Sequence, residues 1–362
     1  MTDGASAAGG GPLADAWDQP AVVDLLLRLL ATPSPTGFTD AAMALLESEL
    51  AGLGVTTERN RKGDLRWRLP GAGRAPVRAL AAHVDTLGAI VKQVKPDGRL
   101  RLTNLGGYDW TTVEGAEATV HPFAGERISG TVVNVKQSTH VHGPALRELP
   151  RVEANMELRL DALVASAEDV AALGVAVGDT VSFDAHARLT PTGFVKGRHL
   201  DDKACVALQV ALTRALVTCG VPPAGDLVFA VSAFEEVGHG GAALLPSDVE
   251  ELLVLDMAAV GEGQTSRETG VSLCVKDASG PYHAGLGGRL RRLAAAAGID
   301  LAVDVYPHYS SDGSSAWRAG GDLRVALVGP GVDASHAFER THVRALAATY
   351  ALLAAYATAD GG

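Results

Sequence analysis

The sequence predicts an α/β fold: a three-layer α/β/α sandwich carrying an inserted β-rich domain of barrel or PDZ-like kind. Three observations lead there. From residue 203 onward, apolar runs of strand length alternate with segments of helical periodicity, the pattern of a largely parallel sheet with crossover helices. The middle of the chain differs, with short β-type runs broken by Gly and Pro. At 362 residues, 47% hydrophobic and 20% charged, the chain is long and apolar enough for about two domains around a large core.

Residues 1–16 open the chain as a Gly/Ala/Ser-rich tail that can bury little, and they are expected to be disordered. In 19–30, Val22, Val23, Leu25, Leu26, Leu29 and Leu30 recur at helical spacing until Pro33 and Pro35 stop the helix. A second amphipathic helix spans 39–53, with Gly54 at its end. Strand-like runs follow at 65–69, 77–83, 89–94, 100–102, 118–120 and 128–135, then a helix at 163–173 and a strand at 181–189. Beyond them come a helix at 204–218, a strand at 227–232, a helix at 240–245, a strand at 252–257, a helix at 286–297 and a strand at 301–305. One α/β domain is therefore expected over 17–87 and 195–362, interrupted by the β-rich insert 88–194.

A formal charge of −11 repels phosphate backbones, which argues against nucleic acid as a partner. No apolar run approaches the ~18 to 20 residues of a bilayer span, so no membrane association is expected. Cys205, Cys219 and Cys274 show no C-x-x-C spacing and read as reduced thiols. The amino terminus lacks the basic and apolar regions of a secretory signal, and a cytoplasmic location is expected.

The informative residues are acids and histidines where predicted strands end. His83 and Asp85 close the run 77–82, two residues apart on one side of an extended chain. Asp201 and Asp202 precede a helix, Glu235 and Glu236 follow the strand 227–232, and Asp256 follows an apolar run. His336 and Glu339 come after the strand 325–328 and a Gly-Pro-Gly turn. Each cluster alone has an ordinary explanation: a surface hydrogen bond for His83 and Asp85, an N-cap for one of the paired aspartates, a solvated loop for the paired glutamates. Asp256 is harder to explain away, because a carboxylate at the rim of a core needs a partner. Together the clusters converge beyond the carboxyl ends of strands, where open α/β sheets bind ligands. Carboxylates with two imidazoles suit zinc, cobalt or manganese, and the number of donors suits two ions sharing a bridging carboxylate and a bridging water.

The motifs Ala-His-Val-Asp (82–85), Leu-Asp-Asp-Lys (200–203), Phe-Glu-Glu-Val-Gly-x-Gly-Gly-Ala (234–242), Val-Leu-Asp (254–256) and Ser-His-x-x-Glu-Arg (335–340) resemble, in order, the tetrahedral (TET-type) metallo-aminopeptidases of metallopeptidase family forty-two. The runs 276–283 and 329–336 resemble a bacterial branch of that family associated with osmoprotectant dipeptides. The resemblance implies a metallopeptidase sandwich with two divalent ions, zinc foremost and cobalt or manganese as alternatives. It implies His83, Asp201, Glu236, Asp256 and His336 as metal ligands, with Asp201 bridging. Glu235 would be the catalytic proton carrier and Asp85 would orient the His83 imidazole, with Asp202 and Glu339 in support. Lys203 stands where the family more commonly has Arg, and Asp333-Ala334-Ser335 replaces its Arg-Tyr-x before the last ligand, a change that bears on substrate choice.

The function so implied is hydrolysis of the amino-terminal peptide bond of small peptides by a homo-oligomer, with a dodecamer as one form. Two alternatives stand beside it: a dimetal amidase or deacylase acting on an N-acylated dipeptide or dipeptide amide, and a non-catalytic peptide-binding or assembly protein. Asp312 falls where relatives keep a Thr-Asp pair near the substrate, and His308 with Tyr309 is a candidate for lining its pocket. His140, His142 and His239 read as surface or loop residues.

Overall fold

The run Arg78–His83 is buried at every position, as are Leu227–Ser232 and Glu251–Leu255, which marks strands covered on both faces. The computed structural model describes residues 12–361. In it these three strands lie side by side and parallel, in the order Leu227–Ser232, Arg78–His83, Glu251–Leu255, with Arg324–Asp333 parallel to the last. They form the middle of a thirteen-stranded mixed sheet. Leu65–Leu69 joins one side antiparallel, and Val271–Asp277 and Glu339–His342 pair antiparallel with Arg324–Asp333 on the other.

The chain leaves Arg78–His83 first for the neighbour on one side and later for the neighbour on the other, so the carboxyl end of that strand is a switch point of the topology. His83 is its last residue. The helices Gln19–Ala31, Asp40–Ala51, Leu200–Cys219, Ala284–Ala296 and Val343–Thr358 bury their apolar faces on one side of the sheet, around Leu80, Phe229, Leu253 and Val328. The other side, with Ala79, Val228, Leu252 and Val254, is covered by the short helix Asp312–Arg318 and the segment carrying Leu244 and Val249.

The β-rich middle closes into a six-stranded barrel of Gly88–Val94, Leu100–Leu105, Met156–Leu160, Ile128–Asn134, Glu117–His121 and Thr180–Phe183. Val91, Leu102, Val120, Val132, Leu158 and Val181 fill it. Past Phe183 the chain has already rejoined the large sheet: Arg188–Leu189 pairs with Phe194–Gly197, and that strand pairs with Glu339–His342.

The structure differs from the sequence expectations in four places. Of the expected tail, residues 1–11 lie outside the described residues, whereas Pro12–Asp15 is helical. Leu13 is buried there and its carbonyl accepts a hydrogen bond from Tyr350 Oη at 2.7 Å, so one leucine seats the segment. The helix expected over 163–173 is only Ala167–Ala172, because the Ser166 side chain caps it by accepting from the Asp169 amide at 3.1 Å. The strand expected over 181–189 is broken between barrel and sheet, with His186 in the left-handed region at φ 46°. No helix forms over 240–245, since the backbone there lies hard against the Asp312 helix. A Cβ on Gly240 would stand 2.2 Å from Asp312 Oδ1, and one on Gly241 2.0 Å from the Asp312 carbonyl oxygen.

At the amino ends of the parallel strands, Glu251 is 2% exposed and faces three arginines. Arg289 grips it with both guanidinium arms, while Arg78 Nε lies at 3.3 Å and Arg324 Nε at 3.4 Å. Removing the carboxylate would leave two buried guanidinium groups unmatched. Glu251→Ala is therefore expected to lower the urea unfolding free energy by about 3–5 kcal/mol. An equilibrium denaturation series against the wild type checks this.

Candidate active site

The opposite, carboxyl ends of the same strands carry the acids and histidines singled out above. His83 ends its strand, Glu235–Val237 is a 3-10 turn just after Leu227–Ser232, and Asp256 follows Glu251–Leu255. Asp201 stands at the head of the helix Leu200–Cys219, where Asp201 and Asp202 keep non-helical backbone angles that aim their side chains back toward the sheet. His336 comes from the loop after Arg324–Asp333, held in the left-handed region at φ 61°.

Two groups of ligand atoms converge, His83 with Asp201 and Asp256, and Asp201 with Glu236 and His336, each within 4.8 Å. Asp201 belongs to both. Its Oδ1 lies 3.1 Å from His83 Nε2 and its Oδ2 3.3 Å from His336 Nε2, so the two carboxylate oxygens serve different imidazoles. Glu236 Oε2 is 3.6 Å from His336 Nε2, and Glu235 Oε2 is 3.8 Å from His83 Nε2.

Among the described residues, no lysine or arginine nitrogen comes within 4.0 Å of a carboxylate oxygen of Asp201, Asp202, Glu235, Glu236 or Asp256. Lys203, beside the pair in sequence, turns its ammonium to the carbonyls of Leu29 and Thr32. Burial accordingly pushes Glu236 and Asp256 up to about 8 and raises Asp202 and Glu235 well above the carboxylate range. Burial also opposes charge on His336, yet the hydrogen bond to Asp201, the charges of Glu236 and Asp201 and the Gly107 carbonyl together outweigh it and raise the imidazole to about 10. For Asp201 burial is outweighed by the hydrogen bonds from His336 and His83, which hold its carboxyl below the usual range. Oδ1 of Asp202 is buried without a hydrogen-bond partner. A pocket of hard oxygen and imidazole donors, crowded with carboxyl groups and without a lysine or arginine beside them among the described residues, fits divalent metal ions.

The surrounding contacts are specific. The His83 Nδ1 lies 2.9 Å from the backbone carbonyl of Asp85 and 3.7 Å from its carboxylate. That carboxylate instead accepts from Thr36 Oγ1 at 2.7 Å and from the backbone amides of Glu235 and Glu236 at 3.0 and 3.2 Å. Asp85 thus holds the paired glutamates as well as the imidazole. Glu339 acts similarly, accepting from the amides of Asp201 and His336 at 3.1 Å each. His336 Nδ1 meets the carbonyl of Gly107, a residue between two barrel segments. Thr36, Gly107 and the buried Asp64, which accepts from the Ala233 amide at 3.1 Å, carried no signal in the sequence.

Asp312 lies beneath the cluster, its carboxylate on Ser232 Oγ at 2.5 Å. His239 stacks on Phe234, and on a short helix His140 is exposed and His142 half-buried. The cluster opens into a cavity of about 540 Å³ that His308 and Tyr309 help to line. A larger cavity of about 650 Å³, between the helix Gln19–Ala31 and the barrel, contains none of the converging ligands.

A parallel-centred sheet with buried carboxylates and imidazoles at its carboxyl edge, and a barrel leaning over them, defines a metal-dependent peptidase. Residues 63–352 match the family model described as M42 glutamyl aminopeptidase. YhfE of Bacillus subtilis (strain 168), provisionally named an aminopeptidase, is 44% identical over 334 residues, covering 92% of this chain and 96% of that protein. The chain belongs to the M42 peptidase family, and it is a metallo-aminopeptidase. Similar solved structures include a TET aminopeptidase from a marine-sediment Thaumarchaeota archaeon, at TM-score 0.84 and 18% identity over 93% of this chain and 96% of that one. The Pyrococcus horikoshii TET1 peptidase, described as assembling into a tetrahedron or a large octahedral shell, gives TM-score 0.81 and 20% identity over 93% and 99%. At these identities the likeness is one of fold.

The Asp85 contacts generate a prediction. Thr36→Val removes one of the hydrogen bonds that hold the carboxylate behind the paired glutamates, while leaving every ligand in place. Turnover should fall about 10–100-fold with an unchanged circular dichroism spectrum, as measured by steady-state kinetics.

Proposed function

We propose that the protein removes the amino-terminal residue of short peptides at a two-ion centre. His83 and Asp256 would hold one ion, Glu236 and His336 the other, and Asp201 would bridge them. The observation that carries this reading is the divergence of the two Asp201 oxygens toward two imidazoles. When bound, the ions, zinc foremost, polarise the scissile carbonyl and acidify water.

The chain's own groups do the rest. Glu235 lies beside the cluster without belonging to either ligand group, which leaves its carboxylate free to carry a proton. It takes the proton of the attacking water and returns it to the leaving amine. Asp85 fixes the backbone of Glu235 and Glu236, so base and ligand keep their spacing. Asp202 receives the His83 amide at 3.3 Å and steadies that strand end. The relatives of this chain carry aminopeptidase names, which favours an aminopeptidase over an amidase or deacylase. Base and ligands are all present, which argues against a non-catalytic binding protein.

Free Cys205, Cys219 and Cys274 support a reducing, cytoplasmic setting. Among the described residues no helix is long and apolar enough to cross a membrane. Phe123, Val141, Leu163 and Val177 stand exposed on the barrel and its connections, which supports a homo-oligomer, the dodecamer being the form we favour.

Exhaustive chelation should abolish hydrolysis of a dipeptide panel, and zinc, cobalt or manganese should restore it. Glu235→Gln should retain two ions per subunit by elemental analysis while kcat falls by about 10⁴ or more. Asp201→Asn should instead lose both ions, because a bridge serves two sites. Near-full turnover of the Glu235 variant with two ions bound would overturn the assigned role.

A further inference from the structure

The cavity beside the cluster is roomy enough for a small peptide, so it does not sort amino-terminal residues mainly by size. Resting on the reading above, we propose that it selects an uncharged amino-terminal side chain and rejects both acidic and basic ones. Besides the acids and His336, the cavity is lined by Met257, Ala259, Tyr306, Pro307 and Tyr309, with Gln264, Ser310 and Ser335 among its polar members.

An acidic side chain entering this space loses water and finds no replacement. Among the described residues no lysine or arginine lines the cavity. Its tyrosine hydroxyls are already engaged: Tyr309 Oη donates to the Met257 carbonyl at 3.2 Å, and Tyr306 Oη pairs with Ser266 Oγ at 2.6 Å. The Gln264 amide nitrogen, turned toward its acceptors, donates to the Val305 carbonyl at 3.2 Å and to Asp304 Oδ1 at 3.1 Å. The His308 imidazole stands exposed at the rim, where water screens it. The matching family model is described as a glutamyl aminopeptidase, and among the described residues this cavity offers a glutamate side chain no lysine or arginine.

A basic side chain fares no better. The carboxylates lining the cavity are Asp201, Glu235, Glu236 and Asp256, all committed to the ions or to proton transfer on the reading above. Asp304, behind the wall, is 7% exposed and saturated by the amides of Thr265 and Ser266 and by the Ser266 hydroxyl. A lysine ammonium reaching the wall would be desolvated without a counter-charge, and an unmatched buried charge costs far more than the contact area returns.

Near-isosteric pairs isolate charge from size. The zinc-loaded full chain is assayed with the p-nitroanilides of Gln, Glu, Met and Lys. The expected result is kcat/KM higher for Gln than Glu and for Met than Lys, each by about 100-fold. A ratio of tenfold or more in both pairs supports the proposal, and a smaller ratio in either overturns it. Calorimetric titration of zinc-loaded Glu235→Gln with Gln-Gly, Glu-Gly, Met-Gly and Lys-Gly gives the same ratios as affinities, judged by the same threshold. If the wild type cleaves none of the four anilides while those affinities discriminate as expected, the aminopeptidase reading fails and the pocket assignment stands. If none of the dipeptides binds, both fail.

Discussion

Buried carboxyl groups crowded together, with no lysine or arginine beside them among the described residues, are the constraint on which the rest of this structure depends. Asp85, Asp201, Asp202 and Asp256 are each 5% exposed or less, and Glu235 and Glu236 crowd beside them. At the other end of the same strands the protein shows how it handles buried charge when stability is the aim: Glu251 is ringed by Arg78, Arg289 and Arg324. Among the described residues no lysine or arginine pairs with the acids at the carboxyl edge, where imidazoles are the basic neighbours. Desolvating several carboxylates there is unfavourable by several kcal/mol per ion, so the arrangement persists only because the surrounding fold is stable enough and because cations of another kind can complete it.

Holding such a cluster open requires rigid supports, and they come from two further acids that grip backbone amides rather than from lysines or arginines that would compete for the cluster's carboxylates. Asp85 secures the loop of Glu235 and Glu236 and closes on His83, while Glu339 ties Asp201 to His336. The supports reach across the whole molecule. The Gly107 carbonyl brings the barrel onto His336, and Arg198, beside the head of the long helix, donates to the Thr112 carbonyl of the same barrel segment at 2.7 Å. The β-rich insert is therefore part of the active-site scaffold as well as a separate core.

Much of the site was legible because its chemistry is local. A His-x-Asp at a strand end, paired aspartates before a helix and paired glutamates after an apolar strand can be read from the chain, since strand ends and helix heads are set by short-range pattern. Thr36 could not be read: it lies in a Pro-bounded turn whose evident role was to stop a helix, and only the approach of Thr86 and Asp85 gives it a second one. Asp85 was legible as a participant but not in its reach, because its partners are backbone amides 150 residues away. The segment 240–245 misled for a related reason. Its glycines serve the close passage of one backbone over another, which no periodicity records.

The amino-acid sequence by itself determined the class of fold, the alternation that makes the central sheet parallel, and which acids and imidazoles stand at strand ends, because side-chain period and helix or strand termination are properties of neighbouring residues. Tertiary structure alone decided that the β-rich runs close into a barrel and that one oxygen of Asp201 faces each imidazole. It also decided which polar atoms of the cavity wall are already spent. Those outcomes depend on the distance between atoms far apart in the chain, and that distance is set by how sheet, helices and barrel pack.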